Sequence, residues 1–375
     1  VSYSSSTTSV CTVSGSTVSP VGLGTCTIVA SQAGDSNYNA ATAVTASFTI
    51  ESVPVQTTAI SIASAANYRF GTAITTTAGT WTGTATVAIS RAWYRCDTAP
   101  SISAGTGSAA SLAPADCVLI SGAVGTSYTP VAADITKFVA VAETAANTTS
   151  TGANSRTTFV STATAVEKQT QTITFGALAS ATYGDAAISL TASSDRSLTI
   201  SYASSNTAVC TVSGSTLTIV SAGSCDVTAS QTGDTNTLQA TSVTQTLTVN
   251  KKAQTINLPA FTSGVYGGAA KASGATATSG LTVTLTSADT AVCTVSGLSV
   301  NIVAPGTCSI TASQAGNTNY NAAADVTKSF TISKASQTIT FAPTTKQKPA
   351  GDFAAGGTAS SGLTVTYVST TTSVC

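Results

Sequence analysis

The sequence predicts an all-β protein, an elongated tandem array of small β-sandwiches that contains disulfides. Three observations predict this class. The chain repeats itself, its apolar residues alternate with polar ones over short runs, and its cysteines come in regularly spaced pairs.

The repeat is visible in three segments that begin at Ser9, Ala208 and Ala291. They read SVCTVSGSTVSPVGLGTCTIVASQAGDSNYNAA, AVCTVSGSTLTIVSAGSCDVTASQTGDTNTLQA and AVCTVSGLSVNIVAPGTCSITASQAGNTNYNAA. Internal identity of this kind marks tandem structural units. The last nine residues, YVSTTTSVC, also nearly repeat the YSSSTTSVC of residues 3–11.

The alternation predicts strands inside each repeat. In residues 169–250, seven runs are rich in Val, Ile and Thr and are separated by Gly, Asp, Asn and Ser: TQTITFGA, AISLTASS, LTISYASSN, AVCTVSG, STLTIVS, CDVTASQ and VTQTLTVN. Apolar residues that recur every second position indicate half-buried strands. Seven short strands within about 80 residues are typical of a β-sandwich.

The cysteines predict disulfides rather than metal sites. Eight of them form three pairs spaced by 15 residues and one spaced by 21: Cys11 and Cys26, Cys210 and Cys225, Cys293 and Cys308, and Cys96 and Cys117. Metal sites prefer shorter spacings and usually histidine, which the chain lacks. Cys375 falls where a further repeat would place its first cysteine, so we expect it to be unpaired by truncation. Disulfides imply an oxidising, extracytoplasmic compartment.

Composition excludes several functions. The 14 basic and 14 acidic residues cancel and form no run, which disfavours nucleic acid and anionic membranes as partners. No apolar run reaches the length of a membrane helix. Without histidine, and with scattered acids, no catalytic constellation is expected, so the sequence predicts no enzyme. No cofactor and no metal are expected.

Residues 53–166 follow a second pattern. They contain GTWTGTATVAISRAWYRCD, a Ser/Gly/Ala-rich insertion, and then SYTPVAADITKFVAVAETA. Trp93 lies on a strand before Cys96, as a core-filling aromatic would. Cys96 and Cys117 bracket the insertion at 97–116 and are expected to hold it as a long hairpin.

These motifs carry a resemblance to bacterial Ig-like repeats. Residues 53–166 resemble modules with GTW.G, W.RC and YTP..AD.GK.V.V motifs, although Ile135 and Thr136 stand where that family usually has a glycine before Lys137. The cysteine-paired repeats look like Ig-like modules of large bacterial surface proteins and adhesins, through QTITF, TYGD and ASQAGNTNYNAA. The resemblance implies tandem Ig-like domains displayed on a bacterial cell surface.

The repeats and the resemblance together give five expected domains. They are 1–50, the C-terminal part of a cut Ig-like repeat; 53–166, a Trp-type Ig-like domain; 169–250 and 253–334, two Ig-like repeats; and 336–375, the N-terminal part of a further cut repeat.

Two kinds of binding site compete with purely structural interpretations. The loops that hold Asp35, Asp234 and Asn317 suggest calcium, but turn formation explains Asn, Asp and Gly there better. Trp81 in GTWTG is a weak candidate for stacking on a sugar, and packing or turn closure is the favoured interpretation.

The expected function is a non-enzymatic structural segment of a very long, extracellular bacterial surface protein, either an adhesin stalk or a fibre building block. Its expected partners are neighbouring repeats of the same chain, with lateral copies in a fibre as an open alternative. The rival function is a glycan- or receptor-binding module centred on 53–166. The two cut ends leave a choice between a window on a longer array, which we favour, and strand exchange between subunits.

Overall fold

The computed structural model describes residues 1–84, 86–100, 104–106, 112–148, 155–342, 344–345 and 351–374. The chain forms two compact units. One comprises Val1–Thr174, Ser193–Ile200 and Ser230–Ser242, and the other comprises Phe175–Ala192, Ser201–Ala229 and Val243–Cys375. Strands dominate, and the predicted all-β class, built from tandem β-sandwiches with disulfides, is confirmed.

Among the described residues of 53–166 there are ten strands and a 3-10 turn, and five strands precede them. In residues 1–50 the strands are β1 (Ser2–Ser5), β2 (Cys11–Ser14), β3 (Thr17–Pro20), β4 (Gly24–Gln32) and β5 (Ala41–Ile50). In residues 53–166 they are β6 (Val55–Thr58), β7 (Ser61–Ile62), β8 (Ile74–Thr77), β9 (Thr80–Thr82), β10 (Val87–Cys96), β11 (Ala104–Thr106), β12 (Cys117–Leu119), β13 (Ser127–Tyr128), the 3-10 turn Ala132–Asp134, β14 (Phe138–Asn147) and β15 (Ser155–Ser161).

The remaining twenty strands of the described residues follow one repeated order. In residues 169–250 they are β16 (Ile173–Thr174), β17 (Ala181–Thr182), β18 (Ile188–Ser189), β19 (Ser193–Ser194), β20 (Ser201–Ser204), β21 (Cys210–Ser213), β22 (Thr216–Ile219), β23 (Gly223–Ser230) and β24 (Val243–Asn250). In residues 253–334 they are β25 (Ile256–Asn257), β26 (Gly264–Val265), β27 (Lys271–Ala272), β28 (Thr276–Ala277), β29 (Thr284–Ser287), β30 (Cys293–Ser296), β31 (Ser299–Ile302), β32 (Gly306–Ser313) and β33 (Val326–Ser333). Residues 336–374 contain β34 (Ile339–Thr340) and β35 (Thr358–Ala359).

The repeat at 253–334 shows how each sandwich is built. A four-stranded sheet in the order β26-β33-β32-β29 faces a three-stranded sheet in the order β27-β31-β30, and β25 pairs with β28. Pairing is antiparallel except for β26 with β33. Along β32, Cys308, Ile310 and Ala312 are buried and the residues between them are not, because successive side chains point to opposite faces. They join Phe330 and Ile332 in one core.

In the three segments that share the 15-residue cysteine spacing, the disulfide joins the two sheets of the sandwich. Cys293 on β30 bonds Cys308 on β32, and the same pairing links Cys210 with Cys225. Cys11 bonds Cys26 in the first segment. All six sulfurs belong to residues that are at most 1% exposed. Closing a 15-residue loop contributes about 3 kcal/mol to the free energy of unfolding by restricting the unfolded chain.

The repeat at 169–250 has the same strand order, in sheets β17-β24-β23-β20 and β18-β22-β21 and the pair β16–β19. It has nine strands where the sequence predicted seven. The run AISLTASS divides into β18 and β19, and β17 is a two-residue strand that pairs in parallel with β24. A two-residue strand is too short to show alternation, so sequence periodicity does not reveal it. Residues 1–50 supply the counterparts of the last five strands, and β34 and β35 match β25 and β28.

Residues 53–166 form a different sandwich. A five-stranded sheet, β11-β15-β14-β10-β12, accompanies a three-stranded sheet, β13-β8-β7, and the pair β6–β9. Trp93 is fully buried in the core of this domain. Cys96 on β10 lies directly opposite Cys117 on β12 and bonds it. Residues 101–103 and 107–111 of the 97–116 insertion lie outside the described residues, as does Cys375. The insertion was expected to be a long hairpin, but its described strand, β11, pairs with β15.

Thr136 adopts a backbone conformation that suits glycine. Its φ is 70°, and of the described non-glycine residues only Ser197 shares a positive φ. A β-branched side chain in the left-handed region is sterically strained. The bacterial Ig-like motif usually has a glycine before Lys137. A glycine at position 136 would adopt this backbone conformation without the strain that threonine carries.

Replacing Thr136 with glycine should stabilise residues 53–166 by about 1 kcal/mol, because the left-handed conformation costs other residues roughly that much. Both tryptophans of the chain lie in this domain, so tryptophan fluorescence during urea unfolding reports on it alone. Thr72→Gly, at a position without positive φ, is the matched control and should destabilise. Equal destabilisation by both substitutions would contradict this account of Thr136.

Candidate functional site

Trp81 contacts a buried carboxylate rather than presenting its polar edge to solvent. Its indole N–H donates to Oε1 of Glu143 at 2.8 Å. Glu143 is 0% exposed, and it also accepts from the Gly79 N–H at 3.1 Å and from two nitrogens of Arg91 at 3.0 and 2.7 Å. Burying a charge is costly unless it is paired and hydrogen-bonded, and here every donor is supplied. The GTW motif thus builds a cradle for Glu143.

Glycine at position 79 is required by this cradle. A Cβ there would lie 2.4 Å from Oε1 of Glu143 and 2.9 Å from the carbonyl oxygen of Thr58. Any side chain would therefore displace the carboxylate from the Trp81 indole. Both ends of the GTW motif therefore contact Glu143, through the Gly79 amide at one end and the Trp81 indole at the other.

A second buried carboxylate, Asp134, joins the other two motifs of this domain. Arg95, of the W.RC strand, donates to Oδ1 at 2.5 Å. Tyr128, of the YTP segment, donates its hydroxyl to Oδ2 at 2.6 Å, and the Val131 N–H donates to the same oxygen at 2.7 Å. Burial raises the pKa of Tyr128 to about 12, and the Asp134 carboxylate contributes to that rise. Both buried acids are fully engaged in holding the sandwich together.

The loops considered for calcium use their side-chain oxygens internally. Oδ1 of Asp35, Asp234 and Asn317 accepts N–H groups from the residues two and three positions later. These backbone N–H bonds lower the pKa of Asp234. Glycine 34, 233 or 316 precedes each of these residues with a φ of 76° to 80°. The loops are Asx turns, and we refer to residues 35–39, 234–238 and 317–321 as the Asx loops.

The Asx loops are hydrogen-bonded to the linkers between successive domains. Between 53–166 and 169–250, the N–H of Gln169 donates to the carbonyl oxygen of Asn236 at 2.9 Å. The Leu238 N–H donates to the Gln169 carbonyl at 2.8 Å. Lys168 Nζ donates to the Asp234 carbonyl at 2.7 Å. The linker is thereby fixed to the repeat that follows it.

The same linker is fixed to the domain that precedes it. The Glu167 N–H donates to the Tyr68 carbonyl at 2.7 Å, and the Phe70 N–H donates to the Glu167 carbonyl at 2.9 Å. Arg69 pairs with the Glu167 carboxylate at 3.2 Å and donates to the Lys168 carbonyl at 2.8 Å. Lys168 is therefore the only residue between Glu167, which is hydrogen-bonded to the preceding domain, and Gln169, which is hydrogen-bonded to the following repeat.

The linker between 169–250 and 253–334 repeats this arrangement. The Lys252 N–H donates to the Asn319 carbonyl at 2.8 Å, and the Asn321 N–H donates to the Lys252 carbonyl at 2.9 Å. Lys251 Nζ donates to the Asn317 carbonyl at 2.8 Å. Lys251 and Lys168 are therefore equivalent in position and in contact.

This second linker is also fixed to the preceding repeat. The Tyr183 N–H donates to the carbonyl of Asn250, two residues before Lys252, at 2.9 Å. The Tyr183 ring meets the Tyr320 ring edge to face, with centroids 5.7 Å apart. The Ala222 N–H donates to Oδ1 of Asn319 at 2.9 Å. The YGD turn of one repeat thus contacts the Asx loop of the next.

A buried glutamine locks each linker to its repeat. Gln171 Nε2 donates to Oε1 of Gln231 at 2.6 Å and to the Leu238 carbonyl at 2.8 Å, and its Oε1 accepts from the Ser194 hydroxyl at 2.8 Å. Gln254 makes the same contacts with Gln314 and Asn321. These glutamines belong to the recurring QTIT and QTIN segments. Sequence reasoning used those segments as a family signature but did not assign the glutamine a role.

The structure brings together other residues that sequence reasoning missed. Glu143, Arg91, Asp134 and Arg95 carry the buried ion pairs of 53–166. Two of them, Arg95 and Asp134, belong to the W.RC and YTP..AD motifs and pair with each other. Those motifs were the signal in the sequence that could have identified them. Among the described residues, no group of three or more Cys, Asp or Glu is arranged to hold a metal ion. No helix within the described ranges has the length and apolar content to cross a bilayer.

Comparison with known proteins gives only distant structural matches. No protein-family model matches the chain, and no curated protein matches it. Among solved structures, Drosophila N-cadherin EC1-4 aligns at 13% identity over 89% of this chain and 92% of that one, with a TM-score of 0.24. Domains 1–6 of the surface layer protein SbsC align at 15% identity over 88% and 49%, with a TM-score of 0.22.

Sidekick-1 immunoglobulin domains 1–5 align at 12% identity over 84% of this chain and 66% of that one, with a TM-score of 0.24. At these identities and TM-scores the matches assign this chain no ligand and no activity.

Replacing Trp81 with phenylalanine should destabilise residues 53–166 by about 1–3 kcal/mol, because the buried Glu143 carboxylate loses a donor. The remaining tryptophan, Trp93, reports unfolding in denaturant. In a Glu143→Gln background the same substitution should cost less, since the charge that the indole stabilises is gone. Equal costs in both backgrounds would show that Trp81 does not act through Glu143.

Proposed function

We propose that this chain is a non-enzymatic structural segment of a very long bacterial cell-surface protein, where it serves as an adhesin stalk or as a building block of an extracellular fibre. One observation supports the proposal most strongly. At two successive linkers, a single lysine separates backbone that is hydrogen-bonded to the preceding domain from backbone bonded to the following one.

Such linkers restrict bending. A flexible linker needs several residues with free backbone dihedrals, whereas here Gln169 and Lys252 each pair on both N–H and C=O with an Asx loop. At each linker only one lysine, Lys168 or Lys251, lies between backbone fixed to the preceding domain and backbone fixed to the following one, so few backbone dihedrals are available for bending. At about 3.4 Å per strand residue, each sandwich adds roughly 30–40 Å of reach. The proposal therefore expects a stiff, extended array.

The proposed location follows from the cysteines and from the resemblance of the repeats. Four disulfides within the described residues suit an oxidising, extracellular compartment. The likeness to Ig-like modules of bacterial surface proteins supports the bacterial cell surface. We propose the domain boundaries 1–50, 53–166, 169–250, 253–334 and 336–375, with neighbouring repeats as the principal partners.

The low charge of the chain favours lateral contacts in a fibre. Only 7% of residues are charged and the net charge is zero, so neighbouring arrays would repel each other little. The rival glycan-binding function receives less support, because the Trp81 indole N–H is engaged by Glu143. Glycan-array binding that Trp81→Ala abolishes would favour the rival.

Inserting Gly-Gly-Ser between Lys251 and Lys252 should loosen the array, since Lys252 could stay on its Asx loop while the preceding repeat moves freely. Small-angle X-ray scattering of the full chain should show a shorter maximum dimension. The same insertion between Gly15 and Ser16, in the exposed turn that joins β2 and β3, is the matched control and should leave the dimension unchanged. An unchanged dimension for the linker insertion would argue against a stiff stalk.

A further inference from the structure

Both sandwich types present the same backbone group to the linker that follows them. The Phe70 N–H of the Trp-type domain (53–166) donates to the Glu167 carbonyl at 2.9 Å. The Tyr183 N–H of the next repeat donates to the Asn250 carbonyl at the same distance. A glycine follows each aromatic residue, and the Asx loops pair with both linkers alike. Backbone groups therefore do not distinguish the two kinds of preceding domain.

The asparagine at the centre of each Asx loop does distinguish them. Oδ1 of Asn319 accepts the Ala222 N–H of the preceding repeat at 2.9 Å. Oδ1 of the equivalent Asn236 is buried as well, but no described residue donates a hydrogen bond to it. A buried acceptor without a donor is unfavourable, because it has lost its hydrogen bonds to water. Of these two asparagines, only the one that follows a repeat has a partner for its Oδ1 in the described part of the chain.

The Ala222 N–H lies at the end of its repeat, in the turn between β22 and β23. The two preceding N–H groups, of Val220 and Ser221, both donate to the Val209 carbonyl and shape this turn. Ala222 is only 8% exposed, so its N–H requires an acceptor from the protein. Asn319 of the next repeat supplies that acceptor.

The next residue of each Asx loop also differs between the two junctions. The Tyr320 ring meets the Tyr183 ring of the preceding repeat edge to face, with centroids 5.7 Å apart. Thr237 stands at the equivalent position after the Trp-type domain. Aromatic pairs of this geometry are favourable beyond the area that they bury. Asn319 and Tyr320 therefore both contact the preceding repeat through their side chains.

We propose that Asn319 and Tyr320 are specificity residues that recognise a preceding domain of the repeat type. Their partner is the end of a repeat, which offers one turn N–H, at Ala222, and one tyrosine ring, at Tyr183. An Asx loop with threonine in place of the tyrosine, as at Thr237, follows the Trp-type domain without either contact. Two loop positions thereby encode which type of domain precedes each repeat.

This recognition acts through penalties as well as through attraction. A preceding domain without a donor would leave Asn319 in the condition of Asn236, with a buried and unpaired oxygen. A following loop without the asparagine would leave the Ala222 N–H without its acceptor. Specificity between related partners depends on such unpaired groups in the wrong pairing.

The inference rests on the proposed function, in which neighbouring repeats are the principal partners, and deepens it by naming the residues that recognise them. Two amides of the full chain separate the two proposals. The Lys252 N–H donates to the Asn319 carbonyl and reports whether the linker is held to the Asx loop. The Ala222 N–H reports whether the Asn319 side chain holds the preceding repeat.

Amide hydrogen exchange of the full chain tests the role of Asn319. Asn319→Ala should make the Ala222 amide exchange about tenfold faster, because that amide loses one hydrogen bond. The Lys252 amide should keep its wild-type rate, since it donates to the backbone of residue 319. Asn319→Asp retains an acceptor and should preserve the protection of Ala222.

Two variants test Tyr320 with the same measurement. Tyr320→Thr gives this loop the residue found at Thr237, and loss of the aromatic pair should accelerate exchange at Ala222 about two- to tenfold. Tyr320→Phe keeps the ring and should leave the rate unchanged.

Asn236→Ala is the matched control at the first junction. No described residue donates to its Oδ1, so the Phe70 amide of the preceding domain should exchange at the wild-type rate. The proposal is overturned if Asn319→Ala leaves Ala222 as protected as in the wild type, or if Asn236→Ala accelerates Phe70 equally. Slow exchange at Lys252 in that case would leave the stiff array standing, whereas fast exchange at Lys252 in the wild type would overturn both proposals.

Discussion

The backbone pairing of one linker residue with an Asx loop is the constraint on which the account of this protein depends. Gln169 and Lys252 each donate through N–H and accept through C=O, at 2.8 to 2.9 Å, from a loop of the repeat that follows. Because only backbone groups form this pairing, the loop residues can differ between repeats. The loop at 234–238 begins with Asp234, whereas the loop at 317–321 begins with Asn317. The side chains of Lys168 and Lys251 add a further bond in the same place.

The two sandwich types reach stability by different routes. The repeats have few charges in their cores and rely on a disulfide between sheets, as Cys293–Cys308 illustrates. Residues 53–166 instead bury two carboxylates, Glu143 and Asp134, each with a complete set of donors. Buried ion pairs contribute little net stability but penalise strongly any rearrangement that removes a donor. Both routes favour a single, well-defined fold at each position of the array.

Sequence periodicity predicted the fold class, the repeat and most strands, because alternation and spacing are local. It missed β17, whose two residues pair in parallel with β24. It also missed Glu143, because an acid in an apolar strand acquires its meaning only from Trp81, Gly79 and Arg91, which are distant in sequence. The Asx loops were recognised as turns, but their contact with the linkers depends on the order of the domains in space.

Amide hydrogen exchange at Ala222 and Lys252 tests the central claim most directly, because the Lys252 N–H holds the linker to the Asx loop and the Ala222 N–H donates from the preceding repeat to Oδ1 of Asn319 in the same loop. If the linkers are held as described, both amides should exchange as slowly as those in neighbouring strands such as β24, whose protection comes from stable pairing. Exchange at the rate of an unstructured peptide, while β24 remains protected, would show that the linkers open freely and would contradict a stiff array.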